Sequence, residues 1–371
     1  MKLSLFLFLV ATAPVAAQRC FANKGELQSA VDRYIADDCA ASDGACLAGR
    51  TYGHPMNSWC VGRITDMSGL FFDKRTFNED LNGWDVARVT TLRRMFYQAY
   101  RFDGDVAGWD TSSATDLSDM FAGASDFNRD LNAWDVSRVT NAKYMFNYAR
   151  SFNGDVTAWD VAAVTNMQGM FSEGGRAFNR DLSAWDTSNV KDMGRMFRNA
   201  KAFNGDLGSW DTAKVTNLNN MFFGAASFNR DISGWNTSKA TAMLAMFAGA
   251  EAFDGDISGW NVASVANMKE MFKGASAFNR DLCAWREAFP YTNAEDIFVG
   301  SGCAFQTTPR SRRRKPFCAS SCDAPGTPST PGPPSTVRHF AQAMYLIFVM
   351  ATSILLAWHR ARLPLRANRP Q

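Results

Sequence analysis

Tryptophan recurs along the chain at 59, 84, 109, 134, 159, 185, 210, 235, 260 and 285, a step of 25 residues with one step of 26 where Ser172-Glu173-Gly174-Gly175 adds a position. Self-similarity at such a period means one supersecondary unit stacked many times, each copy burying the apolar face that its neighbour leaves open. The unit reads Phe, Asn or Asp, any residue, Asp, an aliphatic residue, two more, Trp, Asp or Asn, then roughly Val/Thr-small-x-Val-Thr-x-Met-x-x-Met-Phe-x-x-Ala, as in Phe178 to Ala200. Around Ala184-Trp185-Asp186-Thr187 polar and apolar positions alternate, which predicts a short strand. Val190, Met193, Met196, Phe197 and Ala200 follow at three- and four-residue steps, which predicts a short outer helix started by the Thr/Ser cluster before it.

Leu182, Trp185 and Thr187 have the L-x-x-L-x-L spacing of a leucine-rich repeat. The expected fold class is therefore α/β: a leucine-rich-repeat-like solenoid with one short parallel strand and one short helix per 25-residue repeat. The residue after each Trp forms a column, Asp85, Asp110, Asp135, Asp160, Asp186, Asp211, Asn236 and Asn261, that such a strand would present on its concave face. Strands ~4.8 Å apart would place six carboxylates in a row, a surface for cations or a basic partner. Alternatively each Asp accepts the backbone N–H groups of the turn that follows it. A second ladder, Asn78, Asp103, Asn128, Asn153, Asn179, Asn204, Asn229, Asp254 and Asn279, is expected to satisfy backbone groups between coils. Next to it the residue alternates Glu79, Gly104, Arg129, Gly154, Arg180, Gly205, Arg230, Gly255, Arg280, which points to duplication of a 50-residue pair.

Phe228-Asn229-Arg230-Asp231-Ile232-Ser233-Gly234-Trp235 and Val164-Thr165-Asn166-Met167-Gln168-Gly169-Met170-Phe171 carry a family resemblance. In these repeats, over about Glu26 to Trp285, the chain resembles the BspA-like leucine-rich-repeat surface proteins. That resemblance implies a surface or adhesion role, as in many members, without a shared catalytic site.

The two ends read as addresses. Lys2, the apolar run Leu3 to Val10 and the small residues Val15-Ala16-Ala17 predict a secretory signal over 1–17. Phe340 to Trp358 is apolar enough for a single transmembrane helix, and the following Arg360, Arg362, Arg366 and Arg369 orient the tail to the cytoplasm. Between them the reading is a Cys-containing N-terminal cap with a helix (18–58), the repeats (59–285), a Cys-containing C-terminal cap (286–322), a Pro/Ser/Thr-rich stalk (323–339), the membrane span (340–358) and a basic tail (359–371). Asn23-Lys24-Gly25-Glu26 starts the capping helix, whose apolar stripe is Leu27, Val31, Tyr34 and Ile35. The eight cysteines fall into Cys20, Cys39, Cys46, Cys60 and Cys283, Cys303, Cys318, Cys322 with none between. They are read as disulfides within each group, in any of three pairings, with an irregularly spaced zinc site as the rival.

Charge and chemistry narrow the function. The net charge of +3 hides an acidic body, because Lys2 and ten basic residues from Arg310 onward leave 28 of the 39 Lys+Arg against 35 of the 36 Asp+Glu. Such a body is no nucleic-acid surface. The three histidines, His54, His339 and His359, lie outside the repeats, and no nucleophile stands beside a base, so no catalytic residue is assigned and no enzyme is expected. No metal site and no cofactor are expected, calcium on the Asp column being the one candidate. Asn236-Thr237-Ser238 is an N-glycosylation acceptor, and Arg310 to Lys315 is either a solvated linker or a processing site. The expectation is a type I plasma-membrane protein whose extracellular repeats recognise a protein or glycan, with a structural component of wall or matrix as the alternative.

Overall fold

Each repeat closes as one coil of overlapping turns. The computed structural model describes residues 19–41, 46–174, 177–310, 317–320 and 322. The chain divides into two units, Met1–Cys322 and Asp323–Gln371, and all described residues belong to the first.

The expected α/β solenoid with a strand and a helix per repeat is corrected here. Among the described residues from Trp59 to Leu282 there is no helix, and pairing between coils is reduced to isolated parallel bridges, one residue per coil, running Asp66, Thr91, Asp116, Asn141, Asn166, Asp192, Asn217, Ala242 and Asn267. These bridges lie at the start of the predicted helix, not at the predicted strand. The physical reason is visible over Met193 to Ala200. Met193, Arg195, Phe197 and Asn199 send their N–H groups to the carbonyls of Asn217, Asn219, Met221 and Phe223 in the next coil, at 2.6–3.1 Å. Met196, Arg198 and Ala200 instead donate back three residues, to Met193, Arg195 and Phe197, at 3.0–3.2 Å. Arg195 and Asn199, third residues of two of these turns, have φ of 60° and 56°, the type II pattern. Alternate N–H groups thus serve the turn and the neighbouring coil, so the i→i−4 bonds of a helix cannot form. Glycine takes the second of these left-handed positions at 123, 224, 249, 274 and 300, where an L side chain is strained.

At the predicted strand the tryptophans do the joining. Each Trp ring of the repeats is buried, and most stack on the next, as from Trp159 through Trp185, Trp210 and Trp235 to Trp260, or 6.0 Å apart for Trp109 and Trp134. Each indole N–H from Trp84 to Trp260 donates to a backbone carbonyl one coil back, as Trp159 does to Leu131 at 2.8 Å. Two phenylalanine files complete the core, Phe96-Phe121-Phe146 and Phe102-Phe127-Phe152, interleaved at 4.0 Å between Phe121 and Phe127. Burial of rings this size stabilises by about 1.5–3 kcal/mol each, which is why a fold with so little regular structure holds. The extra residue of the 26-residue repeat leaves the stack intact, Trp159 and Trp185 being 6.3 Å apart.

The Asn ladder forms without a break. The side-chain oxygen of each member accepts the backbone N–H of the next, from Asn78 to Asp103 (2.7 Å) through to Asp254 and Asn279 (3.0 Å). The adjoining Arg/Gly alternation has a packing cause. Arg129, Arg180, Arg230 and Arg280 fold back to donate to the carbonyls of Asp103, Asn153, Asn204 and Asp254. In the intervening coils a Cβ at Gly104, Gly154 or Gly205 would run into the carbonyl of Glu79, Arg129 or Arg180.

Helix α1 (Lys24–Ala36) closes the first coil, with Leu27, Ala30, Val31 and Tyr34 buried. Asn23 caps it by accepting the Glu26 N–H, and Glu26 in turn accepts the N–H of Ala22. Gln28 bonds the Leu70 carbonyl and Tyr34 bonds Glu79, whose carboxyl burial pushes up. Helix α2 (Leu47–Tyr52) follows. All eight cysteines are paired within their groups, Cys20–Cys60, Cys39–Cys46, Cys283–Cys322 and Cys303–Cys318. Loop-closure entropy values the bridges of 40- and 39-residue separation at about 4 kcal/mol each.

The expected membrane partner and type I plasma-membrane placement are also corrected. Among the described residues no helix is long and apolar enough to cross a membrane, α1 with its 13 residues being the longest. The span expected over 340–358 lies outside the described residues, as do the signal at 1–17, the stalk at 323–339, the tail at 359–371 and nearly all of the Arg310 to Lys315 run.

Candidate functional site

The Asp column is exposed at every position from Asp85 to Asn261. Each member turns one side-chain oxygen onto the N–H two residues ahead, Asp85 to Ala87, Asp110 to Ser112, Asp135 to Ser137, Asp160 to Ala162, Asp186 to Ser188, Asp211 to Ala213, Asn236 to Ser238 and Asn261 to Ala263, at 2.9–3.2 Å. These are Asx turns. The Ser137 hydroxyl and then its N–H hold the Asp135 carboxyl below its usual range, and at Asp186 the Ser188 N–H leads, followed by its hydroxyl. The column therefore has a conformational task in every coil. Asn236 itself is exposed, while Thr237 beside it is buried with its hydroxyl on the Asn261 carbonyl. Asp281, Cys283 and Cys322 cluster closely, but the two cysteines are bonded to each other and offer no thiolate.

A second feature lies on the face made by the overlapping turns. A cleft of about 460 Å³ is lined by Tyr97, Gln98, Tyr100, Ala122, Gly123, Ser125, Asn147, Tyr148 and Arg150. It is built from three successive coils, joined by Gln98 N–H to the Ala122 carbonyl and Gly123 N–H to the Asn147 carbonyl, both 2.7 Å. The middle coil contributes the small Ala122, Gly123 and Ser125, so the floor drops between walls of tyrosine. The walls are braced from behind: Phe72 stacks on Tyr97 at 5.0 Å and 9°, and Arg75 lies 5.4 Å from the centre of Tyr100. Tyr148 stands on the far side, 46% exposed, on a backbone at φ 59° fixed by the turn.

Sequence reasoning missed this cleft because it treated departures from the repeat as noise. Position by position, Phe72, Tyr97, Ala122 and Asn147 are equivalent, as are Asp73, Gln98, Gly123 and Tyr148. The signal was Phe72, Tyr97, Tyr100 and Tyr148, aromatic residues at positions that most other repeats fill with small, polar or charged ones.

The coil geometry and its face together define a tandem-repeat protein built from stacked turns, with disulfides at either end of the repeats. Stretches 46–157, 129–222 and 205–308 match the family described as Mycoplasma protein of unknown function, DUF285, which together span most of the chain. The chain belongs to this family, in keeping with its BspA-like repeats. No curated protein and no solved structure matches it.

Proposed function

We propose that the protein is a non-catalytic recognition module, a rigid stack of coils that holds a fixed surface toward another macromolecule. The observation that carries this reading is the exposed aromatic cluster. Among the described residues the large apolar side chains left exposed are Leu47, Phe72, Tyr100, Tyr148, Val299 and Phe305; Tyr100 and Tyr148 line the cleft and Phe72 backs its Tyr97. Aromatic rings anchored by packed neighbours, with polar groups between them, are what recognition surfaces use. Coils joined through alternate backbone N–H groups along the overlapping turns keep that surface in one geometry, which lowers the entropic cost of binding. The carboxylate column is the alternative surface, offering a basic partner or calcium its remaining oxygens.

The test sets the full chain against arrays of glycans and proteins, beside the variants Tyr100→Ala/Tyr148→Asn and Asp135→Ala/Asp160→Ala/Asp186→Ala. A saturable hit lost with the tyrosines and kept without the carboxylates is expected. A folded chain that binds nothing and only self-associates would contradict the reading.

A further inference from the structure

We infer that the cleft between Tyr97, Tyr100 and Tyr148 binds a single pyranose ring of a glycan, an inference that rests on the recognition reading above and names its ligand class.

The width of the slot carries the first step. The Phe72–Tyr97 stack runs from coil to coil and ends in the next coil, where the equivalent residue is Ala122; Tyr97 lines the slot with the Arg94 guanidinium 5.7 Å from its ring centre. Tyr148 rises one coil further on, offset by one residue. Coils paired at strand-like spacing of ~4.8 Å put the two walls roughly 9–10 Å apart. Contact at ~3.5–4 Å on either side then leaves room for one ring and not for two.

The rim decides what kind of ring. Gln98, Asn147, Arg150 and Ser125 bring amide, guanidinium and hydroxyl groups to the edge of the slot. An inserted apolar or aromatic ring would leave these groups desolvated without partners, which costs free energy. A pyranose satisfies both demands: its axial C–H bonds meet the tyrosine faces, and its equatorial hydroxyls reach the planar donors and acceptors around the rim. No carboxylate is among the lining residues, so the pair of acids that glycoside hydrolysis requires is not provided there, and the slot holds its ligand unchanged.

Backbone rigidity supplies the preorganisation. Ala122 and Gly123 are buried; the Ala122 N–H and carbonyl bond Asp119 and Gln98, and the Gly123 N–H bonds the Asn147 carbonyl, so the floor is tied to the turn and to the coils on either side. Tyr148 is held by its own N–H on the Ser172 carbonyl at 2.9 Å.

The experiment titrates the full chain with chitotetraose, cellotetraose and sialyllactose by calorimetry, after a glycan array has widened the set of probes. Ser125→Trp fills the slot, and Tyr148→Asn removes one wall while keeping a residue that tolerates positive φ. The backbone N–H and carbonyl at both positions stay available, and unchanged far-UV circular dichroism and Tm verify the fold. Tyr100→Ala is the second wall variant. The expected result is saturable binding of at least one saccharide, weakened tenfold or more by Ser125→Trp and by Tyr148→Asn, with the Asp135→Ala/Asp160→Ala/Asp186→Ala variant unaffected. A saccharide that binds Ser125→Trp as well as the unaltered chain would overturn the inference. So would silence toward every saccharide alongside a saturable protein hit, which leaves recognition standing. Silence toward glycans and proteins alike would remove both.

Discussion

The indole N–H of Trp134 donates to the carbonyl of Val106, 28 residues earlier, at 2.9 Å, in the buried centre of the stack. The same bond recurs coil after coil, and it stops at the last one: the indole nitrogen of Trp285 is buried with no partner among the described residues. Trp134→Phe and Trp285→Phe remove the same ring volume, yet only the first removes a hydrogen bond. Urea unfolding should therefore show the first costing about 0.5–1.5 kcal/mol more than the second, the net worth of such a bond. Equal losses would mean that the indole bonds do not hold the coils together.

The Asn ladder predicts a chemical rule. Asp already serves at 103 and 254, where its side-chain oxygen accepts the next coil's N–H as Asn does elsewhere. Asn153→Asp should then be tolerated, while Asn153→Ala leaves the Asn179 N–H without its acceptor and lowers Tm. Identical melting of the two variants would refute the ladder's role.

Acid should loosen the coils. The carboxyls of Asp110, Asp135 and Asp231 are held below their usual range by a hydroxyl first and an N–H second, those of Asp155, Asp181, Asp186 and Asp256 by an N–H first. A depressed folded pKa gives stability that is present above the unfolded value of about 3.9 and is lost as pH falls through the folded value. Melting temperature should be flat above about pH 5 and drop below about pH 4. A rise in Tm on acidification would show that repulsion along the column outweighs these turns.

Within that column the bonds differ. Asp135 accepts both the N–H and the hydroxyl of Ser137, at 2.9 and 2.6 Å, whereas Asp160 accepts the N–H of Ala162 alone at 3.1 Å. Asp135→Ala should lower Tm more than Asp160→Ala in matched thermal scans.

Much of this was legible in the residues. The period gave the coils, the buried Trp and Phe files and the Asn ladder, and the two groups of cysteines pair within themselves. The secondary structure was not, because Met193, Met196, Phe197 and Ala200 bury the same side in a helix and in overlapping turns, and apolar spacing cannot separate them. Glycine could have done so. Gly123, Gly224, Gly249 and Gly274 each stand one residue before the repeat Ala, where a helix gains nothing from glycine and a left-handed turn needs it. The tyrosine cleft was illegible for a different reason: it arises from three coils that depart from the consensus together, and a repeat reading averages such departures away.

That contrast supplies the most direct measurement of the account. Ala245 lies in the middle of the predicted helix and has φ of 49° in the structure. In a helix, Ala245→Gly would cost about 1 kcal/mol. In an overlapping-turn coil it relieves a left-handed L residue, worth ~1–2 kcal/mol, against a smaller loss of chain entropy. Urea unfolding of this single variant should show stability unchanged or raised, and a loss of about 1 kcal/mol would contradict the coil described above.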